Sequence, residues 1–302
     1  MEYILKKLVK TSLWSKIMLV SLIIIIYYIF NHKSNNIEGF EQLNKIVFKE
    51  QDHIYDEFYS TVYDDLKSNT NKNEYEISCI INNTSLNKKD KLLDIGSGTG
   101  NHVNMLTKKN IDATGLDKSK SMIQYSKNKY PKCKFKLGDA NNNSIFKPHS
   151  FTHITMLNLT IYEFKNKYNV IRNCYEWIKP GGFLIIHLVN PNKFNPALKN
   201  ADPLNILDNT AVNEKDKKNT FIKFKNFSYK NIFDFNNKEA TFKETFTDSN
   251  NKKRINTLKL NMETSKDIAT LVKREGFIQD VIVDLYSINY PNQFLYFFYK
   301  PE

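Results

Sequence analysis

From about residue 51 onward the chain alternates short apolar runs with stretches whose apolar positions recur every three or four residues. LLDI (92–95), DATGLD (112–117), KCKFKLGD (132–139), FTHITMLNL (151–159) and GFLIIHLV (182–189) read as strands. Between them, NHVNMLTKKN (101–110) puts Val103 and Leu106 at helical spacing, and KSMIQYSKNKY (120–130) reads as a second helix. This alternation predicts an α/β fold in which helices cover a largely parallel sheet. Further on, LVKREGFIQDVIV (271–283) reads as a helix, a glycine-containing stop and a strand, and NQFLYFFYK (292–300) as a final strand. FIKFKNFSYKNIFDF (221–235), EATFKETFTD (239–248) and KRINTLKLNM (253–262) alternate residue by residue, with DSNN (248–251) as a hairpin turn. They predict an antiparallel lid within an insertion at 193–263.

The N-terminus has a different pattern. IMLVSLIIIIYYIF (17–30) carries no charge, and Leu13 and Trp14 extend the stretch past Lys16, whose ammonium can snorkel to an interface. As a helix, Leu13 to Phe30 spans about 27 Å, close to the hydrocarbon thickness of a bilayer. The rival readings are a cleaved signal peptide and a buried core helix. Against cleavage, NHKSNN after Phe30 lacks a small-x-small site; against a core helix, the stretch is apolar on every side. The expected organisation is a tail and transmembrane anchor at 1–31, a polar linker at 32–50 and a catalytic domain at 51–302. Lys6, Lys7, Lys10 and Lys16 precede the apolar stretch and Lys33, Lys45 and Lys49 follow it, too small a bias to orient it.

Composition narrows the partners. The net charge is +12, yet Arg172, Arg254 and Arg274 are the only arginines, and the lysines are scattered instead of forming a stripe. A reader of phosphates or guanines favours arginine, so nucleic acid is not the expected partner. Cys79, Cys133 and Cys174 show no CxxC spacing, and no HxH, HExxH or carboxylate cluster suggests a metal.

Three glycines fall within five residues in LLDIGSGTGN (92–101), joining a buried strand to a helix. Either a tight turn or a ligand lying on the main chain explains them. Asp117 closes the second strand about twenty residues later, where a carboxylate accepts ribose hydroxyls; it reads equally as a helix cap. Asp139, in GDANN (138–142), closes the third strand and suits the exocyclic amine of an adenine beside the amide of Ala140; it reads equally as a turn aspartate. Taken in order, the three strand ends describe an adenosine pocket.

LLDIGSGTG, GLDKSKSMI, KLGDA and IKPGGFLII together resemble the class I S-adenosylmethionine-dependent methyltransferases over most of 85–190. The resemblance implies a Rossmann-like, seven-stranded sheet with its last strand antiparallel, and S-adenosyl-L-methionine as cofactor. It implies that Gly96, Ser97, Gly98 and Gly100 meet the methionine portion, Asp117 the ribose and Asp139 with Ala140 the adenine, while Asp94 helps hold the amino-acid end. KPGG (179–182) is a structural lead into the fifth strand. The fourth strand departs from the family in reading Phe151-Thr152 where an FD pair is usual. More loosely, the lid and the tyrosine-bearing HIYDEFYSTVYDDL (53–66) resemble small-molecule N-methyltransferases such as those acting on amino sugars or glycine.

Such chemistry asks the protein to align a nucleophile with the C–S bond and to exclude water. The expected acceptor is a small molecule with an amine, which need only be neutral when it reacts. His187, at the end of the fifth strand, is the candidate base, with a structural histidine as the alternative. Asn158 and Tyr162 are candidate acceptor contacts. Tyr55, Phe58, Tyr59 and Tyr63 either cap the cofactor, cradling a sulfonium by cation–π contact, or fill the core. A membrane-tethered binding scaffold without catalysis is the second class of function. Asn158-Leu159-Thr160 is also a glycosylation sequon beside the expected site, which favours a domain facing the cytosol on a single N-terminal anchor.

Overall fold

The computed structural model describes residues 46–194, Pro196 and 221–302, with backbone only at 206–208 and 219–220. Of the first 45 residues it describes Ser12, Trp14, Ile17, Met18, Val20, Ser21 and Leu22, so most of the expected anchor at 17–30 lies outside the described residues. Among the described residues no helix is long and apolar enough to cross a membrane. Two compact units are distinguished, Met1–Glu38 and Gly39–Glu302.

The strands of the second unit are β1 (Ile46–Glu50), β2 (Lys91–Ile95), β3 (Asp112–Asp117), β4 (Lys134–Leu137), β5 (Phe151–Met156), β6 (Ile178–Val189), β7 (Ile206–Asp208), β8 (Asn219–Phe224), β9 (Phe227–Asn236), β10 (Glu239–Asp248), β11 (Lys253–Asn261), β12 (Ile278–Asp284) and β13 (Gln293–Tyr299). Its α-helices are α1 (Glu57–Lys67), α2 (Thr70–Thr84), α3 (Asn101–Lys108), α4 (Lys120–Lys129), α5 (Thr160–Glu163), α6 (Lys167–Trp177) and α7 (Ser265–Arg274).

Seven strands form one sheet in the order β12-β13-β6-β5-β2-β3-β4. β2 through β6 run parallel, and β13 lies antiparallel between β6 and β12. This is the α/β arrangement that the strand–helix alternation predicts. The central strands β2, β5 and β6 are largely buried on both faces, as a sheet sandwiched between helices must be. One core joins the sheet to Val170, Ile171, Cys174 and Trp177 of α6 and to Ile268 and Val272 of α7. The other joins it to Ile77 and Ile80 of α2 and to Val103 and Leu106 of α3. The strand order reverses between β2 and β5, so the loops after these strands diverge and leave a crevice at their carboxyl ends.

The expected lid is a second sheet of six strands, β1-β11-β10-β9-β8-β7. The hairpin turn at 248–251 forms, with the Asp248 carboxylate accepting from the Asn250 and Lys252 amides at 2.8 Å each. The stretch 221–235 is two strands rather than one, because the chain reverses between Phe224 and Phe227. The segment ending the expected linker also differs from its reading. Residues 46–50 form β1, which pairs in parallel with β11 from Ile46↔Lys253 to Glu50↔Thr257 and buries Val47. A polar tether would have left the β11 edge open, and β1 covers it.

A chain that starts at Gln51 is therefore expected to be less stable than one that starts at Gly39, by about 2 kcal/mol for the Val47 burial alone. Urea unfolding of the two chains checks this, and equal midpoints would show that β1 adds nothing.

Candidate active site

The turn after β2 is built on glycines for two different reasons. At Gly98, with φ +52, an added Cβ would meet only the Tyr63 ring, at 3.8 Å, so the backbone there lies open to the crevice. At Gly100, with φ +84, a Cβ would fall 2.5 Å from the Phe135 ring, so that glycine packs against β4 and faces away from the crevice. The amides of Gly96 and Ser97 donate to Leu116 O at 2.8 and 3.1 Å, which ties the turn to the end of β3.

Asp117 completes the tie. Its Oδ2 accepts from the Gly98 amide at 2.9 Å and its Oδ1 from the Ser119 amide at 2.8 Å. The cap of α4 is not Asp117 but Ser119, whose hydroxyl oxygen accepts from the Met122 amide. Burial pushes the Asp117 carboxyl up, and the two amides counter it only in part.

The crevice is a cleft of about 670 Å³, open solvent included, lined by Gly96, Gly98, Asp117, Asp139 and Ala140 on the sheet side. Tyr55 and Tyr63, from the strap of residues 51–67, line it as well, and so do Asn158, Thr160 and Glu163 after β5. Asp139 is both a turn aspartate and a lining residue: its Oδ1 accepts from the amide and side chain of Asn141. A second, polar cleft of about 760 Å³, open solvent included, shares the wall formed by Lys118, Asp139, Glu163 and Phe164.

Several expected site residues lie elsewhere. Asp94 is buried beneath the glycine turn, where it accepts from the Thr155 hydroxyl at 2.7 Å; burial pushes its carboxyl up to about 6. Ser97 and Gly100 are buried within the turn and do not line the cleft. His187, the candidate base, does not line either cleft. It is 2% exposed, its Nδ1 accepts from the Leu159 amide, and burial, assisted by the Lys72 charge, pushes the imidazole down to about 3. Tyr162 is a core residue whose hydroxyl oxygen accepts from the Val189 amide at 2.9 Å. Phe58 and Tyr59 pack on the second sheet, Phe58 edge-on to Phe246 and Tyr59 donating to Glu244 at 2.7 Å.

Two groups escaped the sequence reading. Glu163 lines both clefts and accepts from the Tyr55 hydroxyl at 2.6 Å. Burial pushes its carboxyl up to about 7, with the Tyr55 hydrogen bond and Lys118 opposing. Behind Asn158 lies a buried polar chain: Lys72 donates to Asn158 Oδ1 at 2.7 Å and to Glu76 at 2.6 Å, and Glu76 meets His102 at 3.0 Å. Burial raises Glu76, but Lys72 and His102 overcome it and hold the carboxyl below its usual range. Asn158 and Leu159 both take left-handed backbone, at φ +47 and +68, conformations that this support maintains.

This geometry suits an adenosine cofactor: open backbone at Gly98, a carboxylate fixed at Asp117, and aromatic rings opposite. Residues 92–182 match the family model described as "Methyltransferase domain". Over these residues the chain is similar to a methyltransferase domain. The chain is 33% identical over 106 residues to a demethylmenaquinone methyltransferase of Thermotoga maritima, covering 34% of this chain and 45% of that protein. It thus spans about half the length of that curated relative. In fold it is similar to an S-adenosylmethionine-dependent methyltransferase from Clostridium acetobutylicum, with TM-score 0.62, 17% identity and coverage of 81% of this chain and 98% of that one. It is similar too to a sugar N-methyltransferase from Streptoalloteichus sp., with TM-score 0.59, 15% identity and coverage of 81% and 93%.

Two outcomes are expected of this cleft. Gly98→Val fills the open backbone position at an unfavourable φ and abolishes binding of S-adenosylhomocysteine in calorimetry; unchanged binding would contradict the placement. For Glu163, the folded carboxyl is raised from 4.5 to about 7, so rising pH ionises the unfolded chain first and the folded state loses stability across that window. Glu163→Gln removes this loss. Urea unfolding should show wild type falling behind the variant between pH 4.5 and 7 and running parallel above it, and parallel curves throughout would contradict the burial of Glu163.

Proposed function

We propose that the chain methylates a small-molecule amine. The observation that carries this reading is the wall between the two clefts, where Glu163 belongs to both and Asp139 stands beside it. S-adenosylmethionine, when bound, supplies a methyl group already activated on a sulfonium sulfur. The protein's own work is to seat that cofactor on Gly96, Gly98, Asp117 and Ala140, to hold the acceptor at the shared wall and to exclude water with Tyr55 and Tyr63.

An amine arrives largely as ammonium and must lose a proton before its lone pair is available. Glu163 replaces His187 as the group that holds this proton: its carboxyl, at about 7, is ionised in part near neutrality, whereas the buried imidazole has little basicity. Asn158, exposed at the inner cleft and braced by Lys72, is positioned as an acceptor contact. The fold shared with a sugar N-methyltransferase supports an amino-sugar-like acceptor among the amines.

The same reading keeps the N-terminal stretch at 17–30 as a single membrane anchor, with the catalytic domain on the cytosolic side where a sequon at Asn158 stays unmodified. Protease treatment of sealed vesicles tests this part: digestion without detergent is expected, and protection until detergent is added would reverse it.

Incubation of the protein with labelled cofactor and a panel of amines and alcohols of matched shape tests the activity. Label should appear on amines, and Glu163→Gln should lower turnover about 100-fold, well beyond any loss of cofactor affinity. Transfer to alcohols alone, or full activity of the variant, would overturn the amine reading; cofactor binding without any transfer would favour a scaffold.

A further inference from the structure

Arg254 is 0% exposed although it belongs to the second sheet, on β11, and does not line either cleft. Its three donor groups are committed: Nη1 donates to Asp56 Oδ2 at 2.8 Å, Nη2 to Ile54 O at 3.0 Å and Nε to Asn256 Oδ1 at 2.9 Å. The guanidinium also lies over the Phe58 ring, 4.8 Å from its centroid. Ile54 and Asp56 are the two neighbours of Tyr55. The second sheet therefore grips the strap on both sides of Tyr55, whose hydroxyl meets Glu163 at the cofactor cleft.

The remaining contacts of Tyr55 point the same way. Its carbonyl accepts from the Ser119 hydroxyl at 2.6 Å, next to Asp117, and its hydroxyl meets Glu163 at the wall between the clefts. Asp56 serves twice, since its Oδ1 caps α1 by accepting from the Tyr59 amide while Oδ2 takes the guanidinium. A flexible strap would have to find this arrangement each time the cleft closes. Arg254 holds it in advance.

We propose that Arg254 is a positioning residue of the cofactor cleft: by clamping Ile54 and Asp56 it presents Tyr55 to Glu163 as a latch over the bound nucleoside. The proposal rests on the cofactor assignment and not on the identity of the acceptor. When the clamp is weakened, the latched state becomes a fraction of the population and apparent affinity falls by that fraction. The product nucleoside should also leave faster.

The test measures affinity and dissociation rate for S-adenosylhomocysteine, with melting temperature alongside, in wild type and in Asp56→Asn, Arg254→Lys, Tyr55→Phe and the double variant Asp56→Asn/Tyr55→Phe. Asparagine keeps the helix cap, and lysine keeps a charge at the buried position but cannot reach both partners. If latching falls to about one tenth, Asp56→Asn and Arg254→Lys bind about tenfold more weakly, mostly through faster dissociation. The double variant should then be little worse than either single one, because both changes release the same latch. Unchanged affinity in folded Asp56→Asn, or effects that multiply in the double variant, would overturn the proposal by reducing Arg254 to a structural strut. Failure of wild type to bind the nucleoside would instead overturn the cofactor assignment beneath it.

Discussion

The hydrogen bond from the Gly98 amide to Asp117 joins two loops that would otherwise end independently, and the site is organised around it. A parallel sheet presents its carboxyl ends to solvent as loose turns. Here the turn after β2 is drawn onto the end of β3, first through Leu116 O and then through the Asp117 carboxylate. Gly98 can make that approach because it accepts φ +52, and it leaves its own outer side clear because it has no side chain. One interaction thus shapes the floor of the cleft and fixes the carboxylate in it. The buried Asp94–Thr155 contact supports the turn from below, at the point where β2 meets β5.

The roof is made by a different part of the chain. Residues 51–67 supply Tyr55 and Tyr63 to the cleft and are held by the second sheet at two places, Arg254 on β11 and Glu244 on β10, which receives hydroxyls from Tyr59 and Tyr229 and the Lys67 ammonium. Burying these charges without partners would cost several kcal/mol each, so every one is met by an opposite charge or a hydroxyl. The insertion between β6 and α7 is therefore more than a cover for the sheet: it determines where the strap, and with it Tyr55 and Tyr63, can lie.

Local chemistry was legible in the sequence and long-range chemistry was not. The glycine turn, Asp117 and Asp139 could be read because each is defined by its place at a strand end, and the seven-stranded sheet by its alternation of patterns. The side-chain directions beyond strand ends were harder. Tyr162 and Glu163 are adjacent on the single turn of α5, and a step of one residue rotates a side chain by about 100°, so Tyr162 enters the core while Glu163 reaches the cleft. His187 had the chemistry of a base but is buried and lines neither cleft, its ring turned to the Leu159 amide. The grip of Arg254 on Asp56 spans 198 residues, and no local pattern announces it.

The claim on which the rest stands is that one cleft, floored by the Gly98–Asp117 contact and roofed by the strap, holds the nucleoside. A crystal structure of the protein with S-adenosylhomocysteine tests it most directly. The ribose hydroxyls should lie within hydrogen-bonding distance of Asp117, the adenine beside Ala140, and Tyr55 and Tyr63 over the ligand. A nucleoside bound elsewhere, or one in this cleft with Asp117 turned away from it, would contradict the account.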